Sequence, residues 1–230
     1  MHASIGLTEE KREPFVHRYL DPASRLGEVL FGLIMVLTIT LTAGLTAEDG
    51  RAGVRQLLFA AIGCNIAWGL IDAVMYVMNC VTERVGKIHL VEAVQGAKTP
   101  EEAIALIKED IDPDLSQMLT AENADALSRA MFTHISSARP AAKGITRDDI
   151  FGAIACFWLV FVSCLPAAIP FFIFRQPHLA LRISNFLLIA LLFLVGKKWG
   201  AYAHLNPFAT GFTMVAIGLL LVGAAVLLGG

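Results

Sequence analysis

Residues 150–174 read IFGAIACFWLVFVSCLPAAIPFFIF, a run of 25 residues without Asp, Glu, Lys or Arg. A helix needs about 20 largely apolar residues to cross the hydrocarbon core of a bilayer. The run shows no alternation of period two, so it reads as a helix and not as a barrel strand. Three further stretches, 29–47, 183–196 and 199–230, are also free of these four residue types. Five spans follow, at 27–47, 54–80, 150–174, 179–197 and 208–229. Lipid offers backbone groups no hydrogen-bond partner, which leaves the spans no choice but to be helical. The fold class expected is all-α: a polytopic membrane protein with five transmembrane helices.

The composition agrees. Of the 230 residues, 56% are apolar and 17% charged, against roughly 45–50% and 25% in a soluble domain. The formal net charge is -2. There is no basic excess of the kind that binds nucleic acid, so nucleic acid is not expected as a partner and the lipid bilayer is. HExxH, GxSxG and Walker-type motifs are absent from the sequence. The chain is therefore not expected to be an enzyme, nor to hold a tightly bound cofactor. A polar segment containing Glu9, Glu10 and Glu13 precedes the first span. That composition does not suit a signal peptide, so the span is expected to stay in the mature protein.

Lys and Arg set the orientation. Segments 1–26, 83–149 and 197–207 hold 4, 8 and 2 of them, while 48–55 and 175–182 hold 2 each. The positive-inside rule then puts the N-terminus in the cytoplasm and the C-terminus on the opposite side. A multi-pass protein of the cell membrane is favoured over one of an organelle. Four regions result: a cytoplasmic N-terminal segment 1–25, helices one and two in 26–82, a cytoplasmic insert 83–149, and helices three to five in 150–230. The insert carries helix punctuation. Thr99-Pro100-Glu101-Glu102 forms a capping box with Pro at the first helical position. Pro113 opens a short helix to about Leu119, and Thr120 caps another to about Ser137. The stretch 83–95 is read as a continuation of span two.

Polar residues inside the spans carry the functional expectation. A charged side chain near mid-bilayer costs about 2.5–3.5 kcal/mol even on a lenient insertion scale, so its presence suggests use. In span two Asn65, Asp72 and Asn79 recur every seven residues, close to two helical turns. Trp68 and Met75 are read onto the same side. In span one Glu28, Met35 and Thr42 repeat the spacing, with Gly32 and Thr38 beside them. Met35 lies deeper than Glu28 by about 10 Å at 1.5 Å per residue, and Asn65 lies deeper than Asp72 by the same rise. Antiparallel packing of the two spans would level Glu28 with Asp72 and Met35 with Asn65. Carboxylates combined with thioethers suit Fe²⁺ or Mn²⁺ better than Ca²⁺ or Mg²⁺. Within the insert Glu92, Glu109 and His134 are candidate ligands, and a solvated helical surface is the alternative. Small residues at 61, 65, 69 and 73, and Gly211, Gly218, Ala225 and Gly229, mark close helix packing. Pro166 and Pro170 would kink span three. Cys64, Cys80, Cys156 and Cys164 form no CxxC pair and read as small buried residues without disulfides.

The layout resembles the vacuolar iron transporter family. The local echoes are Gly27-Glu28-Val29-Leu30-Phe31-Gly32, the stretch from Gly63-Cys64-Asn65 through Asp72 to Met78, and Leu165-Pro166-Ala167-Ala168-Ile169-Pro170-Phe171. The resemblance implies a homodimer whose first helices line a path for ferrous iron, with protons moving in exchange and insert glutamates capturing metal. The family's acids and methionines map onto Glu28, Met35, Asp72 and Met75. Asn65 stands about where the family carries an acid, and the insert is poorer in Glu than the family's. The function expected is a secondary transporter exporting Fe²⁺, or Mn²⁺, from the cytoplasm in exchange for protons. A proton-coupled carrier of another solute and a non-transporting membrane scaffold are the alternatives.

Overall fold

The computed structural model describes residues 14–46, 50–111, 113–139 and 144–228. Glu9, Glu10, Glu13, Gly229 and positions 47–49 lie outside the described residues. Among the described residues every regular element is a helix: α1 Phe15–Tyr19, α2 Pro22–Thr46, α3 Gly50–Gly96, α4 Pro100–Asp110, α5 Pro113–Met118, α6 Ala121–Ile135, α7 Arg147–Ile173, α8 Pro177–Tyr202 and α9 Pro207–Leu227. Five of them, α2, α3, α7, α8 and α9, are long and apolar enough to cross a membrane.

The helices start where local chemistry satisfies their free N–H groups. Asp21 opens α2: its Oδ1 accepts from the backbone N–H of Ala23 (2.8 Å) and Ser24 (3.1 Å), and Pro22 follows at the first helical position. The Ser24 hydroxyl also donates to Asp21, and this bond first, then the Ser24 N–H, holds the Asp21 carboxyl below its ordinary pKa. Thr99 Oγ1 accepts from Glu102 N at 3.2 Å, and the Glu102 carboxylate reaches back to Lys98 N at 2.9 Å. Thr120 Oγ1 accepts from Asn123 N at 3.3 Å. Asn206 Oδ1 accepts from Phe208 N and Ala209 N to open α9.

The chain divides into two compact units, one formed by the chain to Tyr76 together with Arg147–Gly230, the other by Val77–Thr146. In the first unit α2 is central. Leu33, Val36 and Leu37 of α2 form one core with Ala61 of α3, Cys164 and Ala167 of α7, Leu188 and Val195 of α8, and Val222 of α9. The α8–α9 pair closes on glycines: a methyl at Gly211 would lie 2.7 Å from the Phe193 ring, and one at Gly218 2.4 Å from a Leu192 methyl. Pro166 and Pro170 sit inside α7, and Ser184 Oγ of α8 donates to Ala167 O between them at 2.8 Å. In the second unit the last turns of α3 pack through Val94 on Ala103 and Ile107 of α4. Gln95 Nε2 donates to Ile135 O and Ala138 O and so secures the end of α6. Lys108 pairs with Asp125, whose carboxyl the Lys108 hydrogen bond and charge hold below its ordinary range.

Two boundaries differ from the sequence reading. Helix α2 begins at Pro22, five residues before the apolar run, because Asp21-Pro22 is a complete helix start. Helix α3 runs unbroken from Gly50 to Gly96, and the division between units falls inside it at Tyr76 and not at residue 83.

Candidate functional site

Three helices meet in the seam that holds the polar residues. Their packed faces are set by small side chains. On α3 the buried row is Ala61, Asn65, Gly69 and Ala73, with Asp72 and Tyr76 half-buried beside it. On α7 it is Asp149, Gly152, Cys156, Val160 and Ser163, a spacing of three and four. On α2 the close approach comes at Gly32, where a methyl group would lie 2.9 Å from Val160 O. Gly69 faces the Phe157 ring and Val160, and Gly152 carries the Tyr76 ring directly on its backbone.

Glu28 of α2 is half-buried in this seam. Cys156 of α7, 1% exposed, neighbours it across the seam. Asp72 of α3 interacts electrostatically with both groups. Its Oδ2 is buried and accepts no hydrogen bond. Glu28 and Asp72 thus belong to the same seam of α2, α3 and α7, with Cys156 beside them.

Asn65 is fully buried. Its Nδ2 donates to Val160 O at 3.1 Å and to Gly32 O at 3.4 Å, tying α3 to both neighbours. Its Oδ1 has no partner. Gly32 and Val160 follow Glu28 and Cys156 by four residues on their helices, so the amide sits about one helical turn, or 6 Å, further along the same seam. The hydroxyls of Thr38 and Thr42 donate to Ile34 O and Thr38 O of their own helix, which occupies their protons locally.

Towards the other end of the seam Tyr76 stands one turn from Asp72. Its hydroxyl donates to Tyr19 O at 3.2 Å. Tyr19 and Tyr76, with Arg18, Asp148 and Asp149, line a cavity of about 280 Å³. Asp149 is only 5% exposed and is engaged in polar contact. Helix α1 closes over this end through the rings of Phe15, Tyr19 and Phe151, whose centroids lie 5.2–6.2 Å apart.

Not every expected ligand joins the seam. Met75 is 54% exposed and Trp68 42% exposed, while Asn79 is exposed too. They do not share the face of Asn65. At 100° per residue Trp68 lies about 60° and Met75 about 80° round the helix from Asn65, on the side away from Gly69, Ala73 and Tyr76. Packing follows the small residues and turns that side outward. Trp68 meets α2 ring to ring with Phe31 at 5.9 Å. Met35 is half-buried on α2. Glu92, Glu109 and His134 are all exposed in the second unit. Among the described residues, no three His, Cys, Asp or Glu side chains are grouped closely enough to enclose a metal ion. All four cysteines are free.

No protein-family model and no curated protein matches the chain.

Cys156, Tyr76 and Asp149 are the residues that sequence reading left out of the site. A signal was present: Asp149, Gly152 and Cys156 fall on one helical face, and Tyr76 follows Asp72 by one turn.

Proposed function

We propose that the chain is a secondary transporter that carries a divalent transition metal, Fe²⁺ or Mn²⁺, out of the cytoplasm in exchange for protons. The observation that carries this reading is that Glu28 and Asp72 belong to one seam among α2, α3 and α7, where the buried Asp72 Oδ2 lacks a donor. Two carboxylates held near each other repel, and a buried oxygen without a partner costs free energy. A divalent cation relieves both. Asn65 Oδ1 offers a further oxygen about one turn deeper.

In this reading the N-terminus and the Val77–Thr146 unit are cytoplasmic, as the distribution of Lys and Arg favours. Glu28 and Asp72 receive the ion, Asn65 and Met35 pass it on, and a carboxylate takes up a proton as the ion leaves. A homodimer belongs to the proposal. Met75 is outward-facing within one chain, so it lines a path only if a second copy faces it. Glu92, Glu109 and His134 act as exposed collectors of the ion.

The scaffold reading has its own observation: Asn65 uses its amide protons to join three helices, as structural glue does. Proteoliposomes separate the two. The transporter reading expects Fe²⁺ and Mn²⁺ flux coupled to opposite proton movement, lost in Glu28→Ala and Asp72→Ala variants that still fold. Wild-type protein that moves no metal would favour the scaffold, and proton flux without metal would favour another solute.

A further inference from the structure

Helix α1 is five residues long and lies over one end of the seam. Isolated helices shorter than about 12–15 residues are marginal in water, so α1 is formed because it is docked. Its attachments are few. Leu20, 5% exposed, is the anchor. It packs with Ala155 and Cys156 of α7 in a small core of its own, with Val16, Tyr19, Tyr76 and Leu159 around it, separate from the main core built on Leu33, Val36 and Leu37. One hydrogen bond ties α1 to α3, from the Tyr76 hydroxyl to Tyr19 O at 3.2 Å. The rings of Phe15 and Phe151 complete the contact, and both remain exposed. Leu20 and Asp21 alone join α1 to α2. Asp21 is tied to the first turn of α2 by its cap, whereas Leu20 has extended backbone (φ -121°, ψ 134°). The start of α2 thus does not depend on α1, and the chain can bend at Leu20.

What α1 covers is polar. The cavity of about 280 Å³ is lined by Arg18 and Tyr19 of α1 and by Tyr76, Asp148 and Asp149 beneath them. One turn from Tyr76, Asp72 keeps a buried Oδ2 without a partner. A single apolar side chain stops this polar end, and the segment that carries it is one turn of helix with a flexible joint behind it. Segments with so few buried contacts open locally while the rest of a fold stays closed, and lids hinge at such element-terminal residues. We propose that α1 is a hinged cover with Leu20 as its stopper, which swings away at Leu20 and opens the Tyr76–Asp149 end of the seam to water and ions. The cover goes beyond the transport reading and does not depend on it.

The test uses the full-length protein in detergent with its four native cysteines. The protein is treated with a small water-soluble maleimide, and the modification rate of each cysteine is followed by peptide mass spectrometry. Cys156 lies in the core that Leu20 closes, and Cys164 lies two turns further along α7 in the main core. Cys156 therefore reports the cover and Cys164 the bundle. Tyr76→Phe removes the bond to Tyr19 O, and Leu20→Ala removes the stopper. Modification of Cys156 should speed up at least about threefold in Tyr76→Phe and at least about tenfold in Leu20→Ala, with Cys164 keeping its wild-type rate in both. A Cys156 rate that stays at the wild-type value in either variant, or a Cys164 rate that rises in step with it, overturns the cover. The readout needs no metal, so an absence of Fe²⁺ or Mn²⁺ flux would sink the transport reading and leave the cover standing.

Discussion

Replacing Gly32 with Ala probes the seam at its tightest point. The added methyl would lie 1.9 Å from Ser163 Oγ and 2.9 Å from Val160 O. The hydroxyl can rotate away, giving up its 2.7 Å bond to Val160 O. The carbonyl belongs to the backbone of α7 and moves only with that helix. Relief therefore separates α2 from α7 by several tenths of an ångström. That stretches the bond from Asn65 Nδ2 to Gly32 O, already 3.4 Å, beyond useful length. Overpacking costs about 1–3 kcal/mol, and an interhelical hydrogen bond in a membrane protein averages about 0.6 kcal/mol. Against these, Ala favours the helix over Gly by about 0.8–1 kcal/mol. The net loss is about 0.6–2.8 kcal/mol. Gly27 on the same helix has no atom within 4 Å of an added methyl, so Gly27→Ala should be neutral or stabilising by up to about 1 kcal/mol. The assay is reversible unfolding in mixed micelles titrated with a denaturing detergent, read by circular dichroism. Gly32→Ala should unfold at lower denaturant than wild type and Gly27→Ala at equal or higher. Adding Ser163→Ala to Gly32→Ala should restore only part of the loss, because the Val160 carbonyl remains. Equal midpoints for the two glycine variants would refute the close approach of α2 and α7 on which the seam depends.

Asp21→Ala should destabilise the start of α2 by about 0.5–2 kcal/mol, with Asp21→Asn retaining most of the cap; unfolding midpoints in the same micelles decide this. Because the folded Asp21 carboxyl lies below its ordinary pKa, its stabilisation is complete above the unfolded value and is lost as pH falls through the lowered folded one. The gap between wild type and Asp21→Asn should accordingly narrow at acid pH, and a gap that widens there contradicts the assignment. Tyr76→Phe removes the bond to Tyr19 O, so amide hydrogen exchange in α1 should speed up while exchange at the centre of α8 stays unchanged. Gln95→Ala leaves Ile135 O and Ala138 O without their donor, and exchange should rise at the end of α6 but not at the start of α4.

Much of the fold was readable because membrane helices announce themselves by what they lack. The uncharged run 150–174 needs no knowledge of its neighbours to be recognised, and Thr99-Pro100 and Thr120 mark helix starts within a few residues of sequence. Helix α1 and the start of α2 were missed although Asp21-Pro22 is equally local, because the search for spans begins at apolar residues and this cap lies outside them. The site was less legible, for a tertiary reason. A heptad repeat places Asn65, Asp72 and Asn79 near one line, but which side of that line is buried depends on where Gly69, Ala73 and Gly152 let backbones approach. That rotation hides Asn65 and exposes Met75. Cys156 was unreadable alone, since buried thiols are common.

The central claim is that Glu28 and Asp72 serve one cation together. Mn²⁺ binding to the purified full-length protein, followed by loss of the free-ion paramagnetic resonance signal, tests it for wild type, Glu28→Gln, Asp72→Asn and the double variant. A shared site predicts that each single change weakens binding at least about tenfold and that the double change adds little to either. Independent losses that multiply in the double variant, or wild-type protein that binds no Mn²⁺, would contradict it.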